Sequence, residues 1–334
     1  MTPAPVAAAI PEITSPVLAS LPASRRRLVS IAFWGNLICQ MGIIVTGGIV
    51  RLTGSGLGCS TWPNCEPGQF APNTANPTGF RAFIEFGNRT LTGVLSIFAL
   101  AVLIIALRWL RSKGRGFLVL AWMPLVGTLL QAIVGMAIVK LHLHPGTVAP
   151  HFLISIALVA VSTVLVARLH EGDGAVRRAV PRPVLATAIA LAVVGAAVLV
   201  LGTVVTSTGP HSGDLEATVR LALDPRMVSW LHADAVMLFC GLVVGMLLVL
   251  HLIDARSHAR RAAWGVVIVT VAQAALGYTQ YFLALPAVLV GLHMAGAALF
   301  TAAVSWLVTT MFTWQGPPAA DAEATERRVE VSAR

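Results

Sequence analysis

Eight apolar runs, each roughly 20 residues long, decide most of what this chain can fold into. They cover 28–50, 83–107, 117–139, 150–169, 184–206, 228–252, 263–283 and 287–312. A run of that length crosses the hydrocarbon core of a bilayer as a helix, with its backbone N–H and C=O groups bonded within the segment. Charged residues make up 11% of the chain, against about 25% in soluble domains, so little remains to cover a water-facing surface. The expected fold is an all-α membrane protein with eight transmembrane helices.

The net charge of +9 raises the question of a nucleic-acid partner, and the placement of the charges answers it. Arg25, Arg26 and Arg27 precede the first run. Arg108, Arg111, Lys113 and Arg115 lie between the second and third, Arg168, Arg177, Arg178 and Arg182 between the fourth and fifth, and Arg256, Arg260 and Arg261 between the sixth and seventh. Basic residues in alternate loops mark the cytoplasmic side, so the sequence predicts a multi-pass plasma-membrane protein with both termini inside. The loops 51–82, 140–149, 207–227 and 284–286 are then outside. Residues 1–24 lack the basic start of a signal peptide; they and residues 313–334 read as disordered cytoplasmic tails.

Inside the runs, ionisable side chains are few and mark function, because hydrocarbon does not solvate them. The stretch IEFGNRTLTG at 84–93 places Glu85, Asn88 and Arg89 at the outer end of the second run. His151, His232 and His293 fall at similar depth on the fourth, sixth and eighth runs. The chain also repeats itself. Gln131 and His151 recur 142 residues on as Gln273 and His293, and TGGIVRLTGSG at 46–56 has a weaker echo in LGTVVTSTG at 201–209. The halves therefore read as two pseudo-symmetric four-helix bundles, 25–169 and 184–312, related by an axis along the membrane normal.

Two neutral imidazoles on facing helices hold a low-spin haem iron from both sides, and His232 with His293 fit that pattern. The plain alternative is that each is a polar helix residue bonded to a neighbouring carbonyl. In the first half the counterparts are Asn88 and His151. Asn is a poor iron ligand, which leaves one face of a first-half iron weakly held or open. Glu85 lies one turn from Asn88, and Ser229 takes its place in the second half. The alternative for Glu85 is a simple i, i+4 pair with Arg89. Of the outer-side cations Arg51, Arg81, Arg89, Lys140, Arg220 and Arg226, the sequence favours Arg89 and Arg226 as partners for haem propionates. Cys59 and Cys65 share the first outer loop, in a compartment that permits disulfides, with free thiols or a metal pair as alternatives. Cys39 and Cys240 read as packing residues.

Taken together, GGIVRLTGSGLGCSTWPNC at 47–65, Glu85-x-x-x-Arg89, APHFLISIAL around His151, SWLHADAVML around His232 and VGLHMAGAAL around His293 resemble the haem A synthase family over residues 28 to 312. The resemblance implies an enzyme that oxidises a ring methyl of haem O to a formyl group through successive hydroxylations, for cytochrome oxidase assembly. It implies a resident haem b in the C-terminal bundle, held by His232 and His293 and passing electrons. It implies a substrate site in the N-terminal bundle built from catalytic Glu85 with His151, Asn88 and Arg89, and it favours a Cys59–Cys65 disulfide. The implied partners are haem O and the bilayer, with haem O synthase, a membrane electron donor and a second copy of the chain as candidates. The chain departs from the family at Asn88, where many members have histidine. His151 is then the strong ligand of the substrate iron, and Asn88 hydrogen-bonds a water or sixth ligand.

Two other functions compete. A di-haem electron-transfer cytochrome predicts four strong ligands and no buried Glu. A small-molecule transporter predicts broken helices and a polar site at mid-membrane.

Overall fold

The computed structural model describes residues 15–73, 78–214, 216 and 219–314. A one-turn helix α1 (Pro16–Ser20) leads into eight long ones: α2 (Ala23–Leu52), α3 (Phe80–Trp109), α4 (Arg115–Lys140), α5 (Pro145–Leu169), α6 (Arg182–Thr208), α7 (Pro225–Leu252), α8 (Ser257–Phe282) and α9 (Ala287–Thr309). All eight are long and apolar enough to cross a membrane. Most extend past the apolar runs, because a helix continues through interfacial residues until its backbone bonds are intercepted. Pro145 and Pro225 start α5 and α7 where a missing N–H costs nothing. Asp224 caps α7 by accepting from the amides of Arg226 and Met227. The last run ends early, at Thr309 instead of 312, and the seventh one residue early, at Phe282.

Helices α2, α3, α4 and α5 pack in a closed ring, and so do α6, α7, α8 and α9. In each ring, first and third elements face across the bundle, as do second and fourth. The rings meet where α9 packs on α2 and α5. Each has its own buried core, one around Phe33, Val102, Phe117 and Val159, the other around Leu191, Phe239, Met246 and Leu307. Large apolar side chains such as Ile97, Leu248 and Val288 point outward, as they must where the solvent is lipid.

The repeat reaches the turns. Between α4 and α5, His142 and Leu143 have φ of 49° and 59°; 142 residues on, Ala284 and Leu285 have 60° and 62°. The Leu143 amide donates to Ile138 at 2.9 Å, as Leu285 does to Gln280 at 2.7 Å. Left-handed backbone costs a non-glycine residue roughly 1–2 kcal/mol, and this turn uses two such residues in both halves.

At the basic end the chain ties itself together. Strand β1 (Val176–Arg178), in the link between the bundles, pairs antiparallel with β2 (Phe312–Trp314). The Ser15 hydroxyl and the Val17 amide donate to Asp173 at 3.0 and 2.9 Å, and Lys113 Nζ donates to the same carboxylate at 2.9 Å. Burial pushes the Lys113 ammonium below its ordinary value, and Asp173 pulls it back up. The disordered tail expected to run to residue 24 is thus corrected. Residues 1–14 lie outside the described residues, but from Ser15 onward the chain is helical or bonded to the link. The C-terminal tail expected from residue 313 likewise begins as a paired strand, and residues 315–334 lie outside the described ones.

Candidate functional site

Asn88, His151, His232 and His293 each lie seven to nine residues into their helices, counted from the disulfide-bearing end. His151 on α5 faces α3 across the first ring, and His293 on α9 faces α7 across the second. His232 lies eight residues into α7 and His293 seven residues into α9, at similar depth in the second ring.

Both bundles fix the His-bearing helix in the same way. Gln131 Nε2 on α4 donates to the His151 carbonyl at 2.8 Å, and Gln273 Nε2 on α8 donates to the His293 carbonyl at 3.0 Å. Gln131 also donates to the Ser155 hydroxyl at 2.5 Å. Glycines then make room for the rings. A methyl at Gly277 would stand 3.5 Å from Cε1 of His293, one at Gly202 would stand 3.4 Å from Cε1 of His232, and one at Gly135 would stand 3.9 Å from Cε1 of His151. The Nδ1 atoms of His151 and His293 are buried without a partner.

Opposite His151 the arrangement changes. Asn88 Oδ1 accepts from the Thr46 hydroxyl at 2.7 Å, which engages the side-chain oxygen. Gly47 on α2 corresponds to Gly202, yet nothing lies within 4 Å of a methyl placed there. The space that a ring occupies in one half is open in the other.

Glu85 is buried, at 5% exposure. Its Oε2 accepts from the Cys59 amide at 2.7 Å, and its Oε1 accepts from Arg89 Nε at 3.0 Å and also from Arg89 Nη2. Arg89 Nη1 donates to the carbonyls of Thr61 and Asn64 at 2.8 and 3.3 Å. The pair with Arg89 expected as the plain alternative is therefore present, and it does more than stabilise a helix: acid and base together hold the loop closed by the Cys59–Cys65 disulfide. Gly58 in this loop must be glycine, since a methyl there would stand 2.7 Å from the Arg81 carbonyl. Sequence spacing did not expose the Glu85–Cys59 bond, because a backbone amide leaves no residue signature.

Arg89 is thus committed to the loop. Arg226 is exposed at the start of α7. Arg51, named above only among the outer cations, bridges the halves by donating to the carbonyls of Thr206 and His211 at 2.8 Å each. Cys39 and Cys240 are free and half-buried in their helices.

A family model described as cytochrome oxidase assembly protein (COX15-CtaA) matches residues 30–305. Similar curated proteins include the heme A synthase of Listeria welshimeri, 33% identical over 140 residues, which is 41% of this chain and 44% of the relative. The heme A synthase of Bacillus pumilus is 34% identical over 128 residues, 38% of this chain and 39% of the relative. That of Oceanobacillus iheyensis is 34% identical over 139 residues, 41% and 43% respectively. The chain spans less than half the length of the curated relatives it matches.

Proposed function

The chain belongs to the COX15-CtaA family of cytochrome oxidase assembly proteins, and from that premise we propose that it is a haem A synthase, oxidising a ring methyl of haem O to a formyl group by successive hydroxylation. The observation that carries this reading is the asymmetry of a shared design. Both bundles clamp a histidine by a glutamine from the next helix, but one sets a second histidine across from it and the other sets Asn88 and Glu85.

The second site is the resident one. His232 and His293, with glycines beside their rings and Nδ1 of His293 orphaned, are the residues that would hold a haem b. Bound there, the haem supplies one-electron transfer. Arg226 at the start of α7 is the cation placed for its propionates.

The first site takes haem O as substrate. His151 binds the substrate iron. Asn88, its oxygen engaged by Thr46, offers N–H donors to a water or sixth ligand on the other face. Glu85 stands beside that face, oriented by Arg89 and tied to the disulfide loop through the Cys59 amide. The loop excludes water from the outer side of the site. We place the basic end in the cytoplasm and the disulfide loop outside the plasma membrane, as the loop charges require.

Mass spectrometry of porphyrins extracted after expression with and without a haem O supply tests the assignment. Haem A should accumulate only with the supply. Unchanged haem O beside a full complement of haem b would reduce the protein to an electron carrier, and absence of any haem would favour a transporter.

A further inference from the structure

The first bundle has more polar groups in its interior than its repeat partner, which keeps Thr270 and Gln273 for Thr128 and Gln131 but has Gly195 and Ala297 for Gln40 and Ser155. Asn88 and His151 line one part of a cavity of about 60 Å³ whose remaining wall includes Gln40, Thr128, Gln131 and Ser155 beside Leu95 and Leu158. Gln40 is 1% exposed and donates to Thr128 Oγ1 at 3.4 Å. Gln131 Oε1 is buried without a partner. One turn further in, Asn36 donates to the Ser162 hydroxyl at 2.9 Å while its own Oδ1 is buried and unpartnered. Beyond Asn36 the stacked rings of Phe33 and Phe117, 6.1 Å apart, close the bundle toward its basic end. The polar interior is therefore bounded by aromatic rings on that side, and Asn88 and His151 belong to its lining.

The repeat supplies an internal control. In its register the second bundle has Gly195 for Gln40, Ala297 for Ser155, and Phe239 and Phe300 for Leu95 and Leu158. The two phenylalanine rings lie 4.9 Å apart. A methyl at Gly195 would stand 3.1 Å from Phe239 and 3.4 Å from Phe300. The missing side chain at Gly195 thus admits an aromatic plug into the volume that Gln40 and two leucines leave open in the first bundle.

A buried polar atom left without a hydrogen bond costs about 1–3 kcal/mol. A cavity that gathers two amides and two hydroxyls supplies the two to four partners a water needs, and its volume exceeds the roughly 10–15 Å³ that a single water requires. We propose that this cavity is a water site, bonded to Gln40, Thr128, Gln131 and Ser155 and reaching the face that Asn88 leaves open. It keeps water and exchangeable protons beside the first macrocycle, while the plugged second bundle stays dry. Only this role rests on the haem A synthase reading. Occupancy by water does not.

A structure of the full chain at a resolution that shows ordered water is the test, with and without bound haem. Water peaks are expected between Gln40 and Ser155, and none beside Phe239 and Phe300. In the triple variant Gln40→Gly, Leu95→Phe, Leu158→Phe those peaks should vanish and haem O conversion should fall about tenfold, with the second-bundle haem spectrum unchanged. Should that variant fail to fold, Ser155→Ala and Thr128→Val each remove one partner and should each cost one water peak. A dry cavity, or one filled by a lipid or detergent chain, overturns the proposal; so does an intact set of peaks in the single variants. Water present in a protein that never binds haem would sink the functional reading and leave this one standing.

Discussion

Across the bundle from His293 stands His232; across from His151 stands Asn88. Three features around these pairs are shared: the glutamine clamp, the glycine on the neighbouring helix, and the left-handed turn leading into the His-bearing helix. One frame has been filled twice, once with two imidazoles and a packed aromatic interior, once with an amide, a carboxylate and polar space. A site meant to keep its iron needs two strong ligands and nothing else nearby. A site meant to act on its iron-bearing guest needs one ligand to hold it and a free face with charge and donors beside it. The difference lies in a handful of side chains and not in the backbone, which is why the two bundles superficially look alike in sequence.

Breaking the closed site should have the largest effect. His293→Ala is expected to remove the resident haem altogether, read as the haem-to-protein ratio of the purified protein; a full complement would mean His293 is only a helix residue. Next comes Glu85→Ala, which should lower conversion at least about a hundredfold with the second-bundle spectrum intact. Glu85→Gln sharpens this, since it keeps an acceptor for the Cys59 amide and loses the charge. Activity in the Gln variant would assign Glu85 to loop-holding. Asn88→His tries to turn the first site into the second. With open space beside Gly47, the substrate-loaded variant should become wholly low-spin six-coordinate by absorption and electron paramagnetic resonance. A wild type already wholly low-spin at both sites would remove the contrast. The smallest effects are expected from paired methyls. Gly47→Ala should be neutral or stabilise its helix by up to about 1 kcal/mol, whereas Gly202→Ala presses on His232 and should shift the resident haem's absorption. Thermal melts and spectra that move equally in both would show that the glycine does not shape the site.

How much of this was legible in the chain follows from range. Hydropathy and loop charge are local properties, so eight helices and their basic end could be read directly. The Gln131–His151 and Gln273–His293 spacing survived because clamp and ligand must both be present in each copy. Helix ends were read short, since α3 and α5 run on through interfacial residues that no hydropathy window rewards. Contacts made by backbone groups left no trace: the amide that binds Glu85 belongs to Cys59, and the carbonyls that hold Arg89 belong to Thr61 and Asn64. The docking of Ser15 on Asp173 joins residues 158 positions apart, beyond any local pattern. The plug of Phe239 and Phe300 was invisible because phenylalanines in an apolar helix look alike until their neighbours are known.

Strand β2 has a mechanical consequence. It pins the far end of the helix that presents His293, and sixteen residues of rigid rod, about 24 Å at 1.5 Å each, separate the pin from the imidazole. Clipping the chain ahead of residue 312 would unpair Val176–Arg178 and free that rod to slide or turn. Damage done at one surface would then be felt as a looser placement of His293 near the other.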